Sequence, residues 1–186
     1  MPDYRRHRVP GATYFFTVNL QDRTSTLLTD RIDTLRTVVA RVRTLMPFHI
    51  DAWVVLPEHM HCLWTLPEGD GNFPKRWQAI KMGFCRAMAR GETLSQSRAI
   101  RGERGIWQRR YWEHTVRDAR DYAAHMDYIH FNPVKHGLVA HAATWPYSSF
   151  HRCARQGLYP SDWSAPDDQV GEWGERTKST TLKSVP

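Results

Sequence analysis

The sequence predicts an α+β domain: an antiparallel sheet on a βαββαβ, ferredoxin-like plan, with helices packed on one face and a C-terminal extension. Two patterns predict it. Short stretches at 13–20, 48–56, 59–66 and 113–116 are β-branched, aromatic or alternating in the period-two manner of strands. Longer ones at 31–46, 74–90 and 119–132 repeat their apolar residues at helical spacing. Read along the chain, the order is strand, helix, strand, strand, helix, strand, helix.

The first strand is the run Thr13 to Leu20, entered from a Pro10-Gly11 turn. Asp30 is the expected cap of the first helix, whose Ile32, Leu35, Val38, Val39, Val42 and Leu45 form a stripe that must pack on a sheet. Pro57-Glu58 joins the second and third strands as a hairpin. The second helix mixes Trp77, Ile80 and Phe84 with Lys75, Arg76, Lys81 and Arg86, and 91–105 reads as a flexible basic loop. Asp118 caps the last long helix, which Pro133 is expected to end. On it, Ala119, Tyr122, Ala123, Met126 and Ile129 form a core stripe, and Asp121, His125, Tyr128 and Asn132 a separate polar one. Domain bounds follow as 1–152 for a catalytic unit and 153–186 for a partly irregular extension.

With 26 Lys and Arg against 19 Asp and Glu, the net charge of +7 favours a polyanionic partner, nucleic acid first. No apolar run approaches the ~18 residues of a membrane span, and the basic start lacks a signal-peptide core, so a cytoplasmic protein with no membrane partner is expected. Cys62, Cys85 and Cys153 are odd in number and widely spaced, which argues against a disulfide framework or a cysteine metal site.

The chemistry centres on His59-Met60-His61. On a strand, residues two apart share a face, and with a rise of ~3.3 Å per residue their backbones stand roughly 7 Å apart, so both imidazoles can converge on one cation. Two half-buried sheet histidines would read the same way. Tyr128 and Asn132, one helical turn apart, offer a phenol and an amide to the same site. A cation can polarise a phosphodiester oxygen while a phenolate attacks phosphorus and holds the cut end as an ester. The segment 106–116 interleaves aromatics with arginines, a pattern that suits stacking on unpaired bases and equally suits aromatics packed beneath a basic rim.

Leu56-Pro57-Glu58-His59-Met60-His61-Cys62 resembles the HUH motif. Asp127-Tyr128-Ile129-His130-Phe131-Asn132-Pro133-Val134-Lys135-His136-Gly137 resembles the nucleophile helix of the REP-associated tyrosine transposases, relatives of single-tyrosine HUH transposases. Further similarity lies in Tyr4-Arg5-Arg6-His7, Trp107-Gln108-Arg109-Arg110-Tyr111-Trp112, Trp145-Pro146-Tyr147-Ser148-Ser149-Phe150 and Gly157-Leu158-Tyr159-Pro160-Ser161-Asp162-Trp163. The resemblance implies a single-stranded DNA endonuclease and strand transferase that uses Mg²⁺ or Mn²⁺ and acts on REP hairpin DNA, the repetitive extragenic palindrome. It implies His59 and His61 as metal ligands, Tyr128 as the nucleophile that forms a 5'-phosphotyrosine, and a monomeric protein at the bacterial nucleoid. Where transposase relatives carry a glutamine ligand this chain has Asn132, one methylene shorter. His130 and His136 are further candidate ligands or proton carriers. Arg5, Arg6, Arg8, Lys81, Arg109 and Arg110 are the candidate DNA contacts. The rival readings are a non-catalytic nucleic-acid-binding module and a zinc-dependent hydrolase.

Overall fold

The computed structural model describes residues 8–91 and 96–163. Its sheet has the strand order β2-β3-β1-β4, with β1 Thr13–Asn19, β2 His49–Val55, β3 His59–Thr65 and β4 Trp112–Thr115, every pairing antiparallel. That is the order of the expected plan. β1 and β3 are central, and side chains on both of their faces are covered by helices, so Tyr14, Phe15, Phe16 and Val18 are all buried.

The helices divide between the two faces. α2 (Ile32–Leu45) and α3 (Phe73–Arg86) cover one, packing Leu35, Val39, Trp77, Ile80 and Phe84 against Tyr14, Phe16, Cys62 and Trp64. Trp64 stacks on Trp77 with ring centroids 4.2 Å apart at 15°. α5 (Ala119–Lys135) and α6 (Phe150–Arg155) cover the opposite face, where Met126, Tyr128, Ile129 and Cys153 meet Phe15, Ala52, Val54 and Leu63. The expectation of helices on one face therefore holds for the two helices inside the βαββαβ unit and fails for α5. Strand alternation supplies the reason: Phe15, Thr17, His61 and Leu63 point away from α2 and α3, and a second layer must cover them.

Several boundaries differ from the sequence reading. Asp30 does not cap α2; it closes a separate turn, α1 (Leu27–Asp30), accepting a hydrogen bond from Thr26 Oγ1 at 2.7 Å. α3 stops at Arg86 rather than near residue 90, and Arg104 takes the carbonyls of Cys85, Met88 and Ala89 that a longer helix would have used. Part of the expected loop is a one-turn helix, α4 (Gln96–Ile100), with no buried residue.

α5 runs past Pro133 to Lys135. Pro133 lies in the last turn, where the chain forgoes the helical N–H bond to Ile129 O, and Gly137 at φ 66° closes the helix with its N–H on Val134 O. The expected cap does form: Asp118 accepts the Asp121 N–H at 2.8 Å. Beyond a 3₁₀ turn at Ala142–Thr144, α6 crosses residue 152, and Tyr159 donates its hydroxyl to Asp127 on α5 at 2.7 Å. Among the described residues no helix is long and apolar enough to cross a membrane.

Candidate active site

β3 places His59 and His61 on the face covered by α5, with ring centroids 4.9 Å apart. Each imidazole is held through Nδ1. Glu58 Oε1 takes that of His59 at 3.0 Å, and Thr17 Oγ1 lies 2.9 Å from that of His61, because β1 pairs Thr17 with His61 in register. A ring that donates from Nδ1 keeps its lone pair on Nε2, at the far edge, where a metal would bond. Burial alone would raise the Glu58 carboxyl's pKa, but the hydrogen bond and charge of His59, with Arg23 3.4 Å away, hold it below the ordinary value. Glu58 is thus an anion fit to orient His59.

α5 supplies the other half. The Tyr128 ring lies 5.1 Å from the His61 ring, and Asn132 follows one turn later on the same stripe. His136, just past the helix end, has its ring 5.2 Å from that of His59, and Lys135 Nζ stands 4.8 Å from the centroid of Tyr128. Phe15 forms the floor, 5.5 Å from His61 and 5.8 Å from Tyr128. The site is enclosed: His59, His61 and Asn132 are 0% exposed and Tyr128 1%. Two imidazole nitrogens, with a buried amide on the facing stripe of α5, suit a divalent cation that takes mixed nitrogen and oxygen ligands, and the burial lowers the local dielectric in which it would act.

Of the sequence candidates, the fold brings His59, His61, Tyr128 and His136 together, and Asn132 is buried on the same stripe of α5 between Tyr128 and His136. His130 points elsewhere: its Nε2 lies 2.9 Å from Ser149 Oγ, beside Phe150 and Tyr159, and burial together with Arg152 pushes its pKa down to about 3. Both stripes of α5 contribute to the buried face, Met126 and Ile129 from the apolar one and Asp121, His125, Tyr128 and Asn132 from the polar one. Tyr122, expected in the core, is half-buried and donates its hydroxyl to Asp51 at 3.1 Å. Glu58, Thr17 and Lys135 are participants that sequence reasoning passed over. Adjacency to His59 was a signal for Glu58, and the 128-132-135 spacing was one for Lys135. Thr17 needed the strand order.

A second group lies one turn toward the N-terminus of α5. His114 Nε2 is 2.8 Å from Asp121 Oδ2, and His125 Nδ1 is 3.2 Å from Oδ1. These three residues offer ligand atoms within 4.8 Å of one another. Asp121 Oδ2 also accepts the Arg117 N–H at 3.0 Å and Nε–H at 3.1 Å, so that oxygen is already saturated by cationic and polar donors. The chemistry is that of a clasp between β4 and α5. Burial would raise the Asp121 carboxyl, but His114 and Arg117 outweigh it and bring its pKa to about 2.

The candidate DNA contacts are dispersed. Arg8 and Arg110 are exposed, Lys81 and Arg109 line a cleft beside α3, and Arg5 and Arg6 lie outside the described residues.

No family model matches the sequence. It is 50% identical over 164 residues, 88% of this chain and 92% of the relative, to the REP-associated tyrosine transposase of Escherichia coli (strain K12). It is 44% identical to the putative REP-associated tyrosine transposase of Haemophilus influenzae (strain ATCC 51907 / DSM 11121 / KW20 / Rd), over 90% of this chain and 96% of that one. Among solved structures, a REP-associated tyrosine transposase bound to a REP hairpin superposes with a TM-score of 0.81 at 48% identity, covering 96% of this chain and all of that one.

Proposed function

The chain belongs to the REP-associated tyrosine transposases, and from that premise we propose that it is a metal-dependent endonuclease and strand transferase acting on single-stranded REP hairpin DNA. The observation that carries this reading is the contact between the Tyr128 ring and the His61 ring at 5.1 Å, which sets a nucleophile against the paired imidazoles.

In this reading His59, His61 and Asn132 hold Mg²⁺ or Mn²⁺, which when bound would polarise a non-bridging phosphate oxygen. Glu58 and Thr17 fix the two imidazoles by their Nδ1 edges. Tyr128 Oη attacks phosphorus, the bond from phosphorus to the 3' oxygen breaks, and the products are a 5'-phosphotyrosine and a free 3'-OH. Lys135, above the ring, favours the negative charge that gathers on the phenol oxygen as its proton leaves. Rejoining runs the same exchange backwards and conserves the energy of the bond, so no nucleotide triphosphate is required. Arg8 and Arg110 fit contacts to the backbone, and the protein acts as a monomer.

Incubating the protein with Mn²⁺ and an end-labelled REP hairpin tests this. Expected are a cut strand and a covalent adduct on a denaturing gel, both absent for Tyr128→Phe; equal cutting by that variant would overturn the mechanism. The 1% exposure of Tyr128 favours a second reading, a non-catalytic hairpin-binding module. It predicts binding that survives EDTA and loss of His59, with no adduct.

A further inference from the structure

On the α3 side of the sheet a cleft of about 650 Å³ opens between α3, α4 and the segment leading into β4. Five cationic side chains line it, Lys81, Arg98, Arg101, Arg104 and Arg109, against a single carboxylate, Glu103. That carboxylate is already matched, with Arg109 Nε at 2.7 Å and Arg98 Nη1 at 3.7 Å. Beneath the cations lies an aromatic floor. Lys81 Nζ stands 5.1 Å from the Tyr111 ring centroid and 5.9 Å from that of Trp107 while donating to Gln108 O. A small inorganic anion would use the cations and ignore the rings, and an apolar ligand would do the reverse. A nucleotide of an unpaired strand has both parts, phosphate for the arginines and a π-face for Tyr111. A duplex keeps its base faces inside its own stack and could use only the arginines.

The location adds a constraint. Gln108 N–H donates to Asn19 O at 3.0 Å, and Asn19 is the register partner of His59. The rim of the cleft is therefore two strand spacings from the His59 backbone, roughly 10 Å, at the same end of the sheet. A few nucleotides of single strand can pass around that end from one face to the other.

We propose that this cleft seats the unpaired nucleotides flanking the scissile phosphate, with a base on Tyr111 and phosphates on Arg101 and Arg109. The proposal rests on the single-strand DNA reading of the site around Tyr128. It makes the cleft a determinant of which unpaired flank the enzyme accepts, separate from recognition of the hairpin.

The experiment measures affinity of the full-length Tyr128→Phe protein, which leaves DNA uncut, for a REP hairpin with and without a short unpaired extension. The quantity read is the ratio of the two affinities. Tyr111→Leu, and separately Arg101→Gln with Arg109→Gln, should lower that ratio by roughly tenfold, as expected for one lost base stack or its phosphate contacts. The paired arginine change alters exposed side chains alone, so it decides the matter if Tyr111→Leu fails to fold. A ratio unchanged from that of the parent, whether both affinities fall together or neither moves, overturns the proposal. Cleavage by the wild-type chain is scored separately: its loss with the ratio effect intact would count against the chemistry at Tyr128 and leave the cleft standing.

Discussion

Glu58 Oε1 lies 3.0 Å from His59 Nδ1, so one carboxylate fixes the tautomer and the direction of the first imidazole of the site. Outer partners of this type typically control metal affinity by about 10- to 100-fold. Glu58→Gln keeps the size and still accepts a hydrogen bond, but gives up the charge. Titrating Mn²⁺ into a cleavage assay should show half-maximal activity moved up by about that factor, with much of the rate restored at saturating metal. An unmoved midpoint would mean that Glu58 has no part in holding the site.

Lys135 is the second side chain whose role follows from contact rather than motif, with Nζ 4.8 Å from the Tyr128 centroid. A cation over an aromatic ring contributes about 0.5–2 kcal/mol, so Lys135→Met, which keeps the aliphatic stem, should slow single-turnover cleavage by roughly 2- to 30-fold. Affinity for uncut DNA should change little. Should affinity fall while the rate at saturating DNA holds, Lys135 is a phosphate contact and not a neighbour of the developing charge.

These two residues mark where the sequence was legible and where it was not. His59 and His61 declared themselves because strand alternation is a local property, and Tyr128 with Asn132 because helical spacing is another. Thr17 could not be found that way: it meets His61 across a pairing of β1 with β3 that depends on the sheet order. Lys135 was hidden by Pro133, which looked like the end of the helix and instead sits inside its last turn. α5 was expected beside α2 and α3 because the ferredoxin-like plan puts its helices on one face, whereas the side chains on the histidine face of β1 and β3 need a covering layer of their own. Here Asp121, His125, Tyr128 and Asn132 are buried because they meet polar residues of the sheet.

Asp121 gives a stability prediction with a definite sign. Its folded pKa, about 2, lies below the ordinary 3.8, so the unfolded chain binds the proton more readily. The contribution is therefore fully present above pH 3.8 and lost as pH falls through about 2. A shift of this size corresponds to about 2 kcal/mol. Asp121→Asn should lower the urea-unfolding free energy by about that much at pH 7, and the gap should shrink to roughly half near pH 3. A gap independent of pH would mean that packing, and not the charge shared with His114 and Arg117, holds β4 to α5.

Gly83 sets two opposing effects against each other on the far side of the sheet. Replacing glycine in a helix interior with alanine gains about 1 kcal/mol of helix propensity. Against that, a Cβ at Gly83 would lie 2.8 Å from Val38 Cγ1 on α2, closer than carbon atoms pack. A β-branched valine on a helix has little rotamer freedom with which to retreat, and overpacking of this kind costs about 1–3 kcal/mol, so the clash should win. Gly83→Ala alone should lower the melting temperature, while Gly83→Ala with Val38→Ala should recover part of the loss, since the second change removes the atom that the first one strikes. Two losses that simply add would show that the close approach of α2 and α3 is not what requires glycine there.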